Sequence, residues 1–173
     1  MKRIFIINLL LLIVCGTSVF AQKVEFVNYK DPVHGMSISH PAGWTRIQDS
    51  SIAFGFMSPK GPKDAHADAL FSLAIDPTEM DNAKAVMADY EKVCNREFMD
   101  YKKVKSGTQK LGGHDCAVLY FEATPRDQKL AIMVCIFVDY GSEYIFTCSS
   151  KPGTFKQNVA IFDKMIGSFK MPE

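Results

Sequence analysis

Residues 114–149 read HDCAVLYFEATPRDQKLAIMVCIFVDYGSEYIFTCS. Side chains here alternate with a period of two, the mark of strands whose neighbours point to opposite sheet faces. The reading predicts strands at His114–Ala123, Gln128–Asp139 and Glu143–Ser149, joined by turns at Pro125-Arg126 and Gly141-Ser142. A further strand, Lys103–Lys110, precedes them across Gly112-Gly113. Short turns between successive strands demand antiparallel pairing. Ile132–Val138 is apolar at every position, so this strand belongs in the sheet interior with both faces covered.

Working outward, Val24–Lys30 reads as a strand and Asp31-Pro32-Val33-His34-Gly35 as a turn. Met36, Ile38 and His40 alternate with Ser37 and Ser39, and Pro41 closes that strand. Ile52–Met57 and Leu70–Ile75 are two more strands, separated by a polar loop from Lys60 to Asp68. A helix is predicted over Asn82–Phe98. Ala83, Val86, Met87, Tyr90, Val93, Cys94 and Phe98 recur at helical spacing, with Thr78 or Asp81 available as a cap. Lys84, Glu91, Lys92 and Arg96 fall on its outward face. A second helix follows Pro152-Gly153. Thr154 and Gln157 make a capping box, and Phe155, Val159, Phe162, Ile166 and Phe169 make its apolar stripe. Strands, helix, four strands and helix make an α+β sandwich with a mostly antiparallel sheet and two amphipathic helices available to cover it.

The first residues carry a different signal. Lys2 and Arg3 precede an apolar run from Ile4 to Val14, and Val19-Phe20-Ala21 suits signal peptidase. The expectation is a signal peptide over 1–21, cleaved between Ala21 and Gln22, and one domain over 22–173 in the periplasm or medium. The apolar run is shorter than the roughly 20 residues a spanning helix needs, so no transmembrane segment is expected in the mature chain. Leu12-Ile13-Val14-Cys15 loosely resembles a lipobox, but Val14 is bulky for the position before a lipidated cysteine. The whole chain carries a formal charge of +1. Cleavage removes two basic and no acidic residues, leaving −1. A near-neutral chain without basic blocks lacks the footprint of a nucleic-acid binder.

Several short motifs now converge. Tyr29, the run Gly35-Met36-Ser37-Ile38-Ser39-His40-Pro41-Ala42-Gly43-Trp44, the run Leu111-Gly112-Gly113-His114-Asp115-Cys116-Ala117 and the terminal Phe162–Lys170 segment resemble landmarks of the PsbP-like (Mog1/PsbP/DcrB) superfamily. His40 stands where that family usually has tyrosine. The resemblance implies an α/β/α sandwich and a binding or assembly role. It carries over no catalytic residue.

The residues themselves offer few chemical groups. Cys94, Cys116, Cys135 and Cys148 lie beyond the leader. The simplest two-residue turns set Cys135 opposite Cys148 and Cys116 opposite Cys135. A non-hydrogen-bonded Cys135–Cys148 pair, with Cα atoms about 4.5 Å apart, could close a disulfide. Buried free thiols are the competing reading, and the spacings do not suit a structural zinc site. His114 and Cys116 share a strand face without an evident acid or oxyanion hole. Asp64, His66 and Asp68 sit in a loop that is ordinarily just solvated. His34 and His40 flank a strand without a visible partner, and Trp44 reads as a core plug. No Walker loop, Gly-x-Ser-x-Gly elbow, dinucleotide fingerprint or His-Glu-x-x-His is present, and no cofactor is implied. The expected function is non-enzymatic: an exported protein that binds an envelope partner or assists assembly. The alternative is a periplasmic protein that binds an apolar small molecule or lipid.

Overall fold

The computed structural model describes residues 24–61 and 67–172. The expected leader, the Ala21/Gln22 junction, Cys15, Asp64 and His66 lie outside the described residues. In chain order the elements are β1 (Phe26–Lys30), β2 (Ser37–Pro41), β3 (Thr45–Ile47), β4 (Phe54–Met57), β5 (Ala69–Pro77), α1 (Ala83–Glu97), β6 (Met99–Leu111), β7 (His114–Thr124), β8 (Leu130–Asp139), β9 (Ser142–Ser150) and α2 (Pro152–Gly167). Seven strands form one sheet in the order β3-β4-β5-β9-β8-β7-β6, and β1 with β2 makes a separate hairpin. Every pairing is antiparallel. The short β3 was not foreseen.

Alternation sorts the strands' side chains into two cores. On one face Leu119, Phe121, Val134 and Ile136 pack beneath Val86, Met87 and Cys94 of α1. On the other, Phe71, Met133, Phe137 and Phe146 pack beneath Phe162, Met165 and Ile166 of α2, with Met36 and Ile38 of the hairpin alongside. β8 is buried on both faces, as its unbroken apolar run requires. The chain is an α+β sandwich with the sheet in the middle.

Details of the predicted elements change. The Asn82 side chain caps α1 by accepting from the Ala85 amide at 2.9 Å, in place of Thr78 or Asp81. Val93, placed in the apolar stripe, is 45% exposed. α2 begins two residues before the expected capping box, because Pro152 serves at the first helical position, where a missing amide hydrogen costs nothing. Thr154 donates instead to the Lys151 carbonyl at 3.2 Å.

The turns also differ. β8 and β9 turn at Tyr140-Gly141, where both φ angles are positive (46° and 73°), as a mirror-image hairpin turn needs. The expected turn was Gly141-Ser142. Pro125–Asp127 forms a short 3-10 turn rather than a two-residue turn at Pro125-Arg126. Cys135 therefore faces Phe146, and Cys148 faces Met133. Val118, not Cys116, faces Cys135. Each pairing is displaced from the expected one by two residues, so no side chain changes face. The observed register sets Phe137 against Tyr144 in a parallel stack, with centroids 4.5 Å apart and planes at 2°.

Candidate functional site

The β6–β7 hairpin turns at Gly112 and Gly113, both at positive φ. A Cβ on Gly112 would lie 2.9 Å from the Ile166 carbonyl oxygen, so this turn presses against the end of α2. His114 and Cys116 follow on the α2 side of β7. The His114 ring stacks on Phe137 at 4.0 Å and 17°, which extends the Phe137–Tyr144 stack. Cys116 is 1% exposed. Its thiol points toward the carbonyls of His114 at 3.5 Å and Leu111 at 3.9 Å. A contact from the Cys135 thiol lowers Cys116's pKa, while the same contact and burial push Cys135 up. Burial also raises Cys148 well above the ordinary thiol range. All four described cysteines are free. Cys116, Cys135 and Cys148 share one core, whereas Cys94 lies in the other, under α1, where burial pushes its thiol up to about 11.

Beside this corner lies an open groove of about 800 Å³ between the start of α1, the β6–β7 hairpin and the end of β8. Asp81, Asp115 and Asp139 line it with Lys84, Lys110 and His114. It carries both signs of charge, and Lys110 reaches Asp115 at only 3.6 Å. The groove continues along α1 as a volume of about 340 Å³ over Ser106, Gly107 and Thr108. These small residues leave room because α1 lies over β7 and β8. Lys84 lines both parts, so this outward residue is a groove wall. Its neighbours stay on the solvated surface: Lys92 pairs with Asp89 at 2.6 Å and Arg96 with Glu97 at 2.7 Å. Glu91 accepts from Lys103 at 2.7 Å.

The other candidates are occupied by structural duties. His34 donates its amide to Asp31 at 2.6 Å, and its ring nitrogen meets the same carboxylate oxygen at 2.8 Å. The Tyr29 hydroxyl donates to the other oxygen at 3.2 Å. His40 stacks on Phe56 at 4.0 Å and donates to the Pro41 carbonyl at 2.9 Å. Burial lowers its pKa. Trp44 packs edge-on against Phe162, as a core plug should. Asp68 pairs with Lys151 at 2.8 Å. Ser168 in the terminal motif donates to the Met165 carbonyl at 2.7 Å and accepts the Ser39 amide at 2.8 Å, which ties α2 to β2. Among the described residues no three His, Cys, Asp or Glu side chains gather as a metal site.

The sequence reading missed three polar residues. Asp31 is 1% exposed at the hub of the first turn. Its sequence signal was the Asp-Pro-x-His-Gly run, since a short carboxylate there can accept nearby amides. Gln109 Nε2 and Asp163 Oδ1 are buried without a hydrogen-bond partner. Burial raises the Asp163 pKa, with Lys105 acting against it. Neither position stands out in sequence, since each lies among ordinary polar residues.

No family model and no curated protein matches the chain. Solved structures do. Cyanobacterial PsbP from Synechocystis sp. PCC 6803 superposes with a TM-score of 0.63 at 14% identity, over 91% of this chain and 98% of that one. LpqN of Mycobacterium tuberculosis, involved in cell envelope biogenesis, gives 0.59 at 8% identity over 87% and 92%. The Ran-binding protein Mog1p of Saccharomyces cerevisiae gives 0.59 at 7% identity over 86% and 96%. The chain has the PsbP/Mog1-like fold.

Proposed function

We propose that this chain is a non-catalytic exported envelope protein that binds a protein partner or assists an assembly. One observation carries the reading: the histidines and thiols nearest the large groove are committed to packing, while the groove itself is open and lined with charge. Catalysis needs a nucleophile or base poised beside a site for developing charge. His114 is stacked on Phe137 and the Cys116 sulfur is buried against carbonyls, so the groove offers charged side chains for recognition. The structural neighbours support the same class of role, with Ran binding named for Mog1p and envelope biogenesis for LpqN. The leader at residues 1–21 is the basis for export. No described helix is long and apolar enough to cross a membrane.

A small-molecule ligand is the second reading, because about 800 Å³ lies within the usual range for such sites. Its charged lining suits a polar molecule better than a lipid.

Site-specific photocrosslinking in the native envelope separates the readings. A crosslinker at Lys84 or Asp115 should trap a discrete protein, and one at Asp127, at the opposite end of β7, should not. Purified protein that carries a stoichiometric small molecule by native mass spectrometry, with no crosslinked protein, would reverse the assignment. Turnover of an ester, peptide, glycan or thiol substrate, abolished by His114→Ala or Cys116→Ala, would make the protein an enzyme.

A further inference from the structure

α2 does not cover its face of the sheet evenly. Between the first turns of α2 and strands β6 and β7 lies a groove of about 360 Å³, distinct from the charged one at the sheet end. Tyr120 of β7 and Phe155 and Val159 of α2 line it with apolar surface. Val104 of β6 adds to its rim. The β6–β7 pairing jumps from Lys103–Phe121 to Lys105–Tyr120, so Val104 is the extra, unpaired residue of a bulge. A bulge re-aims a side chain, and Val104 is left 60% exposed on a strand otherwise rich in lysine.

The polar rim is basic. The Lys105 ammonium sits 4.3 Å from the Tyr120 ring centroid. Lys156 is exposed and has no ion-pair partner among the described residues. Two carboxylates lie nearby, Glu122 on the groove wall and Asp163, whose charge Lys105 feels. Glu122 is held by Lys129 at 3.0 Å. Asp163 has one oxygen buried beneath the helix.

We infer that this groove docks an acidic segment of a partner protein, which inserts a large apolar side chain between Val104, Tyr120 and Phe155 and sets its carboxylates against Lys105 and Lys156. Charge complementarity selects the partner. An apolar anchor supplies burial, while the two ammonium groups on the rim attract carboxylates and reject basic segments. The inference rests on the protein-binding reading above.

Its test uses the folded mature protein against a phage-displayed library of random peptides, with Val104→Asp and Lys156→Glu as variants and Lys30→Glu, at an exposed position of β1 outside both grooves, as the control. Both test positions are exposed, and unchanged circular dichroism verifies the fold. Enriched peptides should combine aspartate or glutamate with a leucine or aromatic residue. They should weaken about tenfold or more on either variant, a change of about 1.4 kcal/mol, lose affinity with added salt, and keep it on Lys30→Glu. Enrichment of basic or uncharged peptides, equal binding to the variants, or no enrichment would overturn the inference. So would cosedimentation with phosphatidylglycerol vesicles that the variants abolish, because the face would then serve a membrane. In native envelope, a protein trapped at Lys84 but not at Val104 would end this inference alone. Failure at both positions would end the protein-binding reading too.

Discussion

Two aspartates show how the same carboxyl group can hold the fold together or strain it. Asp31 is buried, which raises its pKa, but the His34 amide, the His34 ring and the Tyr29 hydroxyl outweigh burial and lower it overall. Asp163 is raised, because burial is met by no hydrogen bond to its inner oxygen. The signs of their pH dependence are opposite. A lowered carboxyl stabilises the fold above the unfolded value near 3.9, and loses that contribution as pH falls through its folded value. A raised carboxyl costs stability above that same unfolded value and costs nothing once protonated. Asp31→Asn should therefore lose about 1–3 kcal/mol at neutral pH, with the loss shrinking below about pH 4. Asp163→Asn should gain stability, in the range of about 1 kcal/mol at neutral pH, and the gain should shrink as pH falls through the raised folded value and be gone near the unfolded value of about 3.9, above the range in which Asp31 loses its contribution. Denaturant unfolding at neutral and acid pH checks both. A loss from Asp163→Asn at neutral pH would show that its carboxylate is satisfied.

At the scale of elements, the Gly112-Gly113 turn joins two parts far apart in sequence. Both glycines adopt φ angles that cost other residues about 1–2 kcal/mol. Only Gly112 also meets a neighbour, the Ile166 carbonyl of α2, while a Cβ on Gly113 meets open space. Gly112→Ala should thus destabilise the protein more than Gly113→Ala, by at least about 1 kcal/mol, in parallel thermal melts. Strands β7, β8 and β9 make a second prediction. Cys116, Cys135 and Cys148 are buried, and the offset register sets none of them opposite another. Protein comprising residues 22–173 should react negligibly with Ellman's reagent while folded, and four thiols should appear on unfolding without reductant. Two missing thiols, restored by reductant, would show that a disulfide forms.

For the whole molecule the open edges of the sheet matter most. One edge is β3, only three residues long. The other is β6, thirteen residues long and liable to pair with a second chain. Lys102, Lys103, Lys105 and Lys110 and two breaks in register protect it. Replacing Lys102, Lys103 and Lys110 together with threonine should yield concentration-dependent oligomers by light scattering while the wild type stays monodisperse. Lys103 also bonds Glu91 of α1, so Lys103→Thr alone serves as the control for that lost pair.

What the sequence determined by itself was the identity of the elements and the face each side chain takes. Period-two alternation in β7, β8 and β9 placed Cys116, Cys135 and Cys148 on one side of the sheet. That placement survived two wrong turns, because a slip of two residues returns every side chain to the same face. The Leu-Gly-Gly-His and Ser-Phe landmarks were legible because each performs a local backbone task, a tight turn or a helix end. Register, caps and grooves were decided only in the tertiary structure. Whether the chain turns at Tyr140-Gly141 or one residue later depends on the Phe137–Tyr144 stack and on the Thr78 amide that reaches the Gly141 carbonyl at 2.9 Å. These contacts join partners separated by the turn itself or by the whole of α1 through β8. The grooves depend on where α1 and α2 come to rest on the sheet, and a helix's apolar stripe states which side is buried but not how far across the strands it lies.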